Sequence, residues 1–188
     1  MTRVRALLAT ALLLALAACA AFTPRVNVPD FDMLGRVFVG YEGPSFSSNL
    51  RWNHAAGEDQ IWLMTPLGQT VAYIEDRATG ASLTSADQQH YYAGSVESLT
   101  QRALGWSLPL AELRYWVRGE EVPGVASQGV QRAADGRLLE LTQAGWKITF
   151  TPPAQHAGNR LPQRLQLTNG SQQIRLVIDE WRDIGKAQ

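Results

Sequence analysis

Short runs in which apolar and polar residues alternate fill most of the chain after residue 34, and they restrict the fold more than any other feature. Nine such runs are rich in β-branched and aromatic residues and are bounded by turn signals. They read GRVFVGY, FSSNLRWNH, QIWLM, QTVAYIE, ASLTS, LLELTQ, WKITFT, RLQLT and QIRLVIDEW. Alternation places every second side chain on one face of a strand, as for Trp146, Ile148 and Phe150. The pattern predicts an antiparallel sheet with one apolar face and one solvated face.

Glycine-containing connections between these runs carry turn signals. Asn169-Gly170 lies between two alternating runs and predicts a hairpin with a type I′ turn. Gly136 and Gly145 predict further corners before and after the run LLELTQ. The last third of the chain is therefore expected to be a series of hairpins.

One turn carries an unusual apolar residue. In TPLG, Pro66 suits the second position of a type I turn, Leu67 the third and Gly68 the fourth. This geometry points the leucine side chain away from the hairpin, although turn tips normally face water. The alternative is a leucine tucked beneath its own turn.

The segment GSVESLTQRALGW has helical rather than strand spacing. Val96, Leu99 and Ala103 lie on one helical face. Ser95 can cap the N-terminus, and Gly105 suits the position after the C-terminus. This segment predicts a short amphipathic helix.

A second helix is predicted in SLPLAELRYWVRG. Pro109 fits the first turn, Leu110, Leu113 and Val117 share a face, and Gly119 ends the helix. Two short helices between two sets of strands indicate a curved sheet with helices across its mouth. They either cover an apolar cavity or simply fill the core.

The N-terminus has the plan of a secretory signal. Two arginines precede thirteen mostly apolar residues, which are too few to span a bilayer, and the segment ends in LAAC at Cys19. This ending resembles the lipobox of bacterial lipoproteins. The resemblance implies cleavage before Cys19, lipid on its sulfur and an acyl chain on its new amine. The alternative is an ordinary signal peptide with an incidental cysteine, although an exported protein has little use for a lone free thiol.

These features divide the chain into three parts. We expect a lipoprotein signal peptide at residues 1–18, a lipidated N-terminus and tether at 19–30, and one domain at 31–188. In lipoprotein sorting, aspartate after the cysteine commonly retains a protein at the inner membrane, whereas Ala20 stands here. We therefore expect a lipid-anchored protein on the periplasmic face of the outer membrane.

Composition argues against several classes of function. Without Arg3 and Arg5 the chain has 15 basic and 17 acidic residues, and only two are lysines, so nucleic acid is not an expected partner. The three histidines, at positions 54, 90 and 156, lack metal-ligand spacing, and no GxSxG motif is present. We expect no enzyme, no metal and no cofactor other than the covalent lipid on Cys19.

Several longer motifs point to a particular protein family. They occur in order between residues 34 and 181. They are LGRVFV, SSNLRW, IWLMTPLGQTVA, LGWSLPLAELRYWVRG, QAGWKITF, LPQRLQL and IRLVIDEW. Together with the lipobox, they closely resemble the outer-membrane lipoprotein receptors of the LolB family. The family pattern also includes a helix before the first strand, and Pro24 and Pro29 disfavour one there.

The resemblance implies a half-open β-barrel with a helical lid over an apolar cavity. It implies a receptor that accepts acylated lipoproteins from the periplasmic carrier LolA and inserts them into the outer membrane, working as a monomer. The leucine of the matching PLG loop protrudes in the family and is implicated in placing cargo in the membrane. Leu67 is accordingly the expected membrane-insertion tip, with Pro66 and Gly68 supporting its turn.

Alternation and the lid helices together suggest which side chains line the acyl-chain cavity. They are Leu50, Trp52, Ile61, Leu63, Leu113, Trp116, Trp146, Ile148, Leu165, Leu167, Leu176 and Ile178. We expect Trp106 and Trp181 to pack near the sheet ends instead. A basic patch for the carrier is expected from Arg51, Arg114 or Arg118.

Two other functions stay open from the residues alone. A structural or assembly-machine outer-membrane lipoprotein would have a packed core and a flat protein-binding surface. A general lipid-binding lipoprotein would share the cavity without the carrier.

Overall fold

The computed structural model describes residues 28–152 and 161–184, and these residues form eleven strands and two helices. The strands are β1 (Phe31–Gly40), β2 (Phe46–Ala55), β3 (Glu58–Met64), β4 (Thr70–Arg77), β5 (Gly80–Ser85), β6 (His90–Ala93), β7 (Ser127–Arg132), β8 (Leu138–Gln143), β9 (Trp146–Thr151), β10 (Arg164–Asn169) and β11 (Gln172–Ile184). The helices are α1 (Val96–Leu104) and α2 (Leu110–Trp116), and both lie between β6 and β7 in sequence.

All eleven strands form one antiparallel sheet, in the order β6-β5-β4-β3-β2-β1-β11-β10-β9-β8-β7. The first and last strands are neighbours at its centre, where ten residues of β1 pair with β11. The sheet is open and curved, and its concave face packs against the two helices. The predicted fold class, mainly β with a helical lid, is confirmed.

Close approach of the two central strands requires glycine at one position. The β1–β11 register shifts between Leu34 and Gly35. A Cβ atom built at Gly35 would lie 2.2 Å from the carbonyl oxygen of Val177, which no side chain tolerates without backbone movement. Gly35 thus lets the bulged strand stay paired at the centre of the sheet.

The edge strands β6 and β7 are additions to the nine predicted strands. Three of the four residues of β6 and five of the six of β7 are exposed. Because neither face of these strands is buried, neither sequence shows apolar alternation, which is the signal that identified the other nine.

Both helices begin and end close to where the capping residues predict. The Ser95 hydroxyl accepts a hydrogen bond from the Ser98 backbone N–H, and Gly105 has a left-handed φ of 80°. Pro109 precedes the first residue of α2, and its carbonyl accepts a hydrogen bond from the Leu113 N–H. Gly119 also has a positive φ of 72° just beyond the helix.

The prediction of a type I′ turn at Asn169-Gly170 is wrong by one residue. Asn169 pairs with Gln172, so Gly170 and Ser171 form the two-residue loop. Gly170 has a φ of 56°, whereas Ser171 is not among the residues with positive φ. Glycine at the first of the two loop positions is typical of a type II′ turn.

The end of the predicted tether belongs to the folded domain. Val28 is 9% exposed and joins the hydrophobic core, and the Asp30 carboxylate accepts a hydrogen bond from the Ala56 backbone N–H at 2.9 Å. The signal peptide, Cys19 and the rest of the tether to residue 27 lie outside the described residues. Among the residues described, no helix is both long and apolar enough to cross a membrane.

Candidate functional site

A closed apolar cavity lies between the concave face of the sheet and the helices. Its lining contains only apolar side chains: Val37, Leu50, Trp52, Ile61, Leu63, Ile74, Trp106, Leu108, Leu110, Leu113, Ile174 and Leu176. Its volume of about 30 Å³ holds roughly one water molecule. This space is far smaller than a long acyl chain.

Half of the predicted cavity residues line this space. They are Leu50, Trp52, Ile61, Leu63, Leu113 and Leu176. The other six are buried in the surrounding core without lining the cavity: Trp116, Trp146, Ile148, Leu165, Leu167 and Ile178. Alternation identifies the inward face of a strand, but the position of the lid decides which inward residues border a void.

The assignment of Trp106 to packing away from the cavity is wrong. Trp106 is 4% exposed, lines the cavity and stacks on Phe46 with ring centroids 6.2 Å apart. It lies in the connector between α1 and α2, where no helix or strand periodicity indicates which way a side chain points. Trp181 instead packs edge-on against Phe31, at a centroid distance of 5.7 Å.

The lid connector, residues 105–109, is attached to the sheet by a few contacts. The Gln172 side-chain amide donates to the carbonyl oxygen of Ser107 at 2.6 Å. The Tyr41 hydroxyl lies 3.5 Å from the Leu104 carbonyl oxygen, at the limit of a hydrogen bond. Together with the stacked Phe46 and Trp106 rings, these contacts close this end of the lid without an ion pair.

At α2 the lid is attached to the sheet by ion pairs, one of them to a buried carboxylate. Asp59 on β3 is 1% exposed and accepts from the Trp52 indole N–H at 2.6 Å. Its other oxygen accepts from Arg114 Nε on α2 at 2.7 Å, and His54 Nδ1 lies 2.9 Å from the first oxygen. Because Trp52 also lines the cavity, this network joins the cavity wall to the lid.

Asp76 on β4 completes the attachment of α2. Its carboxylate lies 2.5 Å from Arg114 Nη2, so the guanidinium bridges two strands. Burial raises the pKa of the Asp76 carboxyl, although Arg114 opposes this shift. Arg114 thus holds two carboxylates, one fully buried and one partly buried.

Trp116, the last residue of α2, anchors the end of this helix. Its indole N–H donates to the side-chain oxygen of Gln143 at 3.0 Å. The Gln143 amide also bonds the backbone of Val122 and Val125, which follow the helix in sequence. This cluster fixes the segment that leads from α2 to β7.

Two of the three arginines expected to bind the carrier do not present their charge to solvent. The Arg114 side chain is 19% exposed and engaged by Asp59 and Asp76. The Arg118 side chain is 10% exposed and pairs with Glu120. Their expected role in docking does not fit this placement. Arg51 is 41% exposed on the outer face of the sheet, as expected, although it pairs with Asp32.

Leu67 stands at the tip of the β3–β4 hairpin. The Gly68 N–H donates to the Thr65 carbonyl oxygen at 2.9 Å, as in the predicted turn, and Gly68 has a φ of 82°. Leu67 is 89% exposed, more than any other large hydrophobic side chain in the described residues. The structure therefore places the leucine in solvent and not beneath its turn.

The described residues contain no cluster of three or more histidine, cysteine, aspartate or glutamate side chains that could hold a metal ion. His54 instead contacts Asp59 and the Phe31 ring, and His90 lies 3.1 Å from the Thr84 hydroxyl.

Comparison with known proteins places this architecture in a family. Residues 29–181 match the family model of the outer membrane lipoprotein LolB. Outer-membrane lipoprotein LolB of Nitrosomonas europaea is 36% identical over 81% of this chain and 72% of its own length. The Pseudomonas paraeruginosa protein of that name is 38% identical over 81% and 75%, and the Chromobacterium violaceum protein is 33% identical over 95% and 99%.

A solved structure supports the fold alone. A LolA superfamily protein from Nitrosomonas europaea superposes on 85% of this chain and 89% of its own with a TM-score of 0.50, at 7% sequence identity. The family model covers nearly the whole domain, including the lid and the Leu67 turn. This chain therefore belongs to the LolB family of outer-membrane lipoproteins.

Proposed function

We propose that this protein is an outer-membrane receptor that accepts acylated lipoproteins from the periplasmic carrier LolA and inserts them into the membrane. Lipid on Cys19 anchors it to the periplasmic face of the outer membrane. The observation that supports this function best is the pairing of a closed, wholly apolar cavity with a solvent-exposed leucine on the same domain. Three partners follow: the carrier, the cargo and outer-membrane lipid.

The physical requirement is to shelter acyl chains from water between two membranes. Each buried CH₂ contributes about 0.8 kcal/mol, so a multiply acylated protein does not cross water unaided. The acyl chains pass from one cavity to the next and finally to the bilayer. If each site binds them more favourably than the one before, the cargo moves without covalent chemistry. The apolar lining supplies the favourable surface here, because no polar side chain lines the cavity.

Cargo binding requires the lid to move, because the closed cavity has a volume of only about 30 Å³. The lid is attached to the sheet in two ways: α2 carries the Arg114 ion pairs, whereas the connector has one good hydrogen bond to the sheet, ring stacking and the buried side chains of Trp106 and Leu108. The Leu108 N–H is bonded to Thr100 of α1 and not to the sheet. We therefore propose that the connector lifts while α2 stays attached. Trp106 and Leu108 then leave the cavity and make room for acyl chains.

Joining the connector to the sheet tests this movement. We expect Ser107→Cys with Gln172→Cys, joined by a short reducible crosslink, to lose cargo acceptance and to regain it on reduction. These positions are suitable because the Gln172 side chain already reaches the Ser107 carbonyl. The measurement is transfer of a radiolabelled lipoprotein from the carrier, before and after reduction.

A matched crosslink on the outer face provides the control. Thr149→Cys and Gln166→Cys are directly paired on β9 and β10 and are remote from the lid. This pair should accept cargo whether joined or reduced. Full acceptance by the joined Ser107–Gln172 variant would show that the connector does not open for cargo.

A further inference from the structure

We propose that the outer face of β1–β4 rests against the lipid bilayer, so that the receptor lies on its side and does not stand on the Leu67 tip. The proposal rests on the proposed function, which supplies the lipid on Cys19 and the insertion of Leu67. It adds a third contact with the membrane, the outer face of the sheet, to the lipid on Cys19 and the inserted Leu67.

The outer face of β1–β4 carries a row of large side chains. Leu34, Arg51, Trp62 and Tyr73 are directly opposite one another on successive strands. The Trp62 and Tyr73 rings are 5.2 Å apart, and the Arg51 guanidinium lies 5.1 Å from the Trp62 ring. All four side chains are partly exposed. They cross four strands as one continuous surface.

Phe38 and Met64 extend this surface on β1 and β3. Both are partly exposed, and the Arg175 guanidinium lies 4.9 Å from the Phe38 ring. Stacked pairs of arginine and aromatic rings thus occur twice on this half of the sheet. We call the surface formed by Leu34, Phe38, Arg51, Trp62, Met64 and Tyr73 the aromatic face.

The other half of the same outer surface is different. On β9 and β10 the outward side chains are polar: Lys147, Thr149, Thr151, Arg164 and Gln166 are exposed, and Thr168 is partly exposed. Such polar residues are what a solvated face of an antiparallel sheet normally carries. The outer face of β9 and β10 is thus polar, whereas the outer face of β1–β4 combines large apolar and aromatic side chains with polar ones such as Arg36, Gln60 and Glu75.

The chemistry of the aromatic face suits the boundary of a bilayer. Tryptophan and tyrosine are enriched at membrane–water interfaces, where an apolar ring meets a polar edge. Arginine can lay its stem on apolar surface while its charged end reaches lipid phosphate. The Tyr73 hydroxyl donates to Glu75, and burial raises its pKa to about 12, so the phenol stays uncharged.

The two membrane contacts of the proposed function lie at opposite ends of this face. Phe31, near the tether, is level with His54 and Asp59 across β1, β2 and β3. Leu67 follows Asp59 by eight residues along β3 and its turn. β3 continues five residues past Asp59 to Met64, which is about 17 Å at roughly 3.3 Å per residue, and Leu67 lies beyond it in the turn.

The length of the tether favours the lying orientation over an upright one. Nine residues, 19–27, join the lipidated cysteine to the buried Val28. Fully extended they span at most about 32 Å, whereas a relaxed coil of that length spans roughly 17 Å. An upright molecule with Leu67 inserted would need a tether extended beyond this relaxed span. Lying on the aromatic face brings both ends to the bilayer without stretching the tether.

This orientation also reassigns Arg51. Its side chain lies on the aromatic face, over the Trp62 ring, with its guanidinium paired to Asp32, so it faces the bilayer and not the carrier. The cavity lies on the opposite, concave face and stays accessible to cargo.

Depth-dependent quenching tests the orientation with the lipidated full-length protein in phosphatidylethanolamine–phosphatidylglycerol vesicles. Single cysteines at Leu67, Asn53 and Gln166 carry an environment-sensitive fluorophore, and lipids with a shallow nitroxide act as the quencher. Asn53 pairs with Asp32 at the tether end of β2, and Gln166 lies on the polar outer half. Cys19 itself carries lipid and does not react.

We expect the labels at Leu67 and Asn53 to shift to the blue and lose most of their emission, and the label at Gln166 to stay unquenched. Trp62→Gln should reduce the quenching at Asn53, whereas Thr149→Gln should not. Quenching at Leu67 with none at Asn53 would overturn the lying orientation and leave the insertion tip intact. No quenching at Leu67 would overturn the tip itself, and the inference with it.

Discussion

Leu67→Glu is expected to abolish delivery of lipoproteins into membranes while leaving their acceptance from the carrier unchanged. The side chain is 89% exposed and the cavity lining does not include it, so the substitution alters neither the core nor the cargo site. Burying one leucine contributes about 1.5–3 kcal/mol, enough to bias how a tethered receptor meets the bilayer. A carboxylate at the tip replaces this gain with a desolvation penalty.

The assay scores acceptance and delivery separately, with carrier-bound lipoprotein and liposomes. Leu67→Ile and Leu67→Phe are the matched controls, because they keep an apolar tip, and both should retain much of the delivery. If Leu67→Glu delivers normally, or loses acceptance together with delivery, the leucine has a structural role and the insertion tip is wrong.

Asp59→Ala should reduce the free energy of unfolding by about 3–5 kcal/mol, the usual cost of breaking a buried ion pair from one side. The carboxylate is 1% exposed and holds the Trp52 indole and Arg114 at once. Its removal leaves two donors without their acceptor and detaches α2 from β3. Urea unfolding followed by far-ultraviolet circular dichroism measures the change.

Asp179→Ala provides a matched loss of a carboxylate on the surface. Asp179 pairs with Arg36, and both side chains are about half exposed, so the unfolding free energy should change little. Equal stability of Asp59→Ala and Asp179→Ala would mean that the buried network does not fasten the lid.

Local rules predicted much of the fold and the tip. The Ser95 cap, the Gly105 terminus and the TPLG turn each depend on a few neighbouring residues, and each occurs as expected. The inward face of the strands followed from alternation, because a half-buried sheet imposes a period of two. The turn at Leu67 was predictable from its own residues, but they left open a leucine tucked beneath the turn, and the resemblance to the LolB family favoured the protruding tip.

Features that depend on distant residues were not predictable. Nothing in the sequence pairs Arg114 with Asp59, which is 55 positions earlier, so its charge was expected to be free for the carrier. Trp106 lies in a connector without periodicity, and its place in the cavity depends on where the lid settles. The aromatic face, too, appears only when the register aligns Arg51 with Trp62.

Photocrosslinking from the cargo tests the central claim most directly. A lipoprotein with a photoreactive group near the end of one acyl chain is transferred from the carrier to this protein, irradiated, and mapped by mass spectrometry. The account predicts crosslinks to cavity-lining residues that stay in place when the connector lifts, chiefly Trp52, Ile61 and Leu110. Crosslinks confined to the outer face of the sheet, or none after verified acceptance, would contradict an acyl-binding cavity beneath the lid.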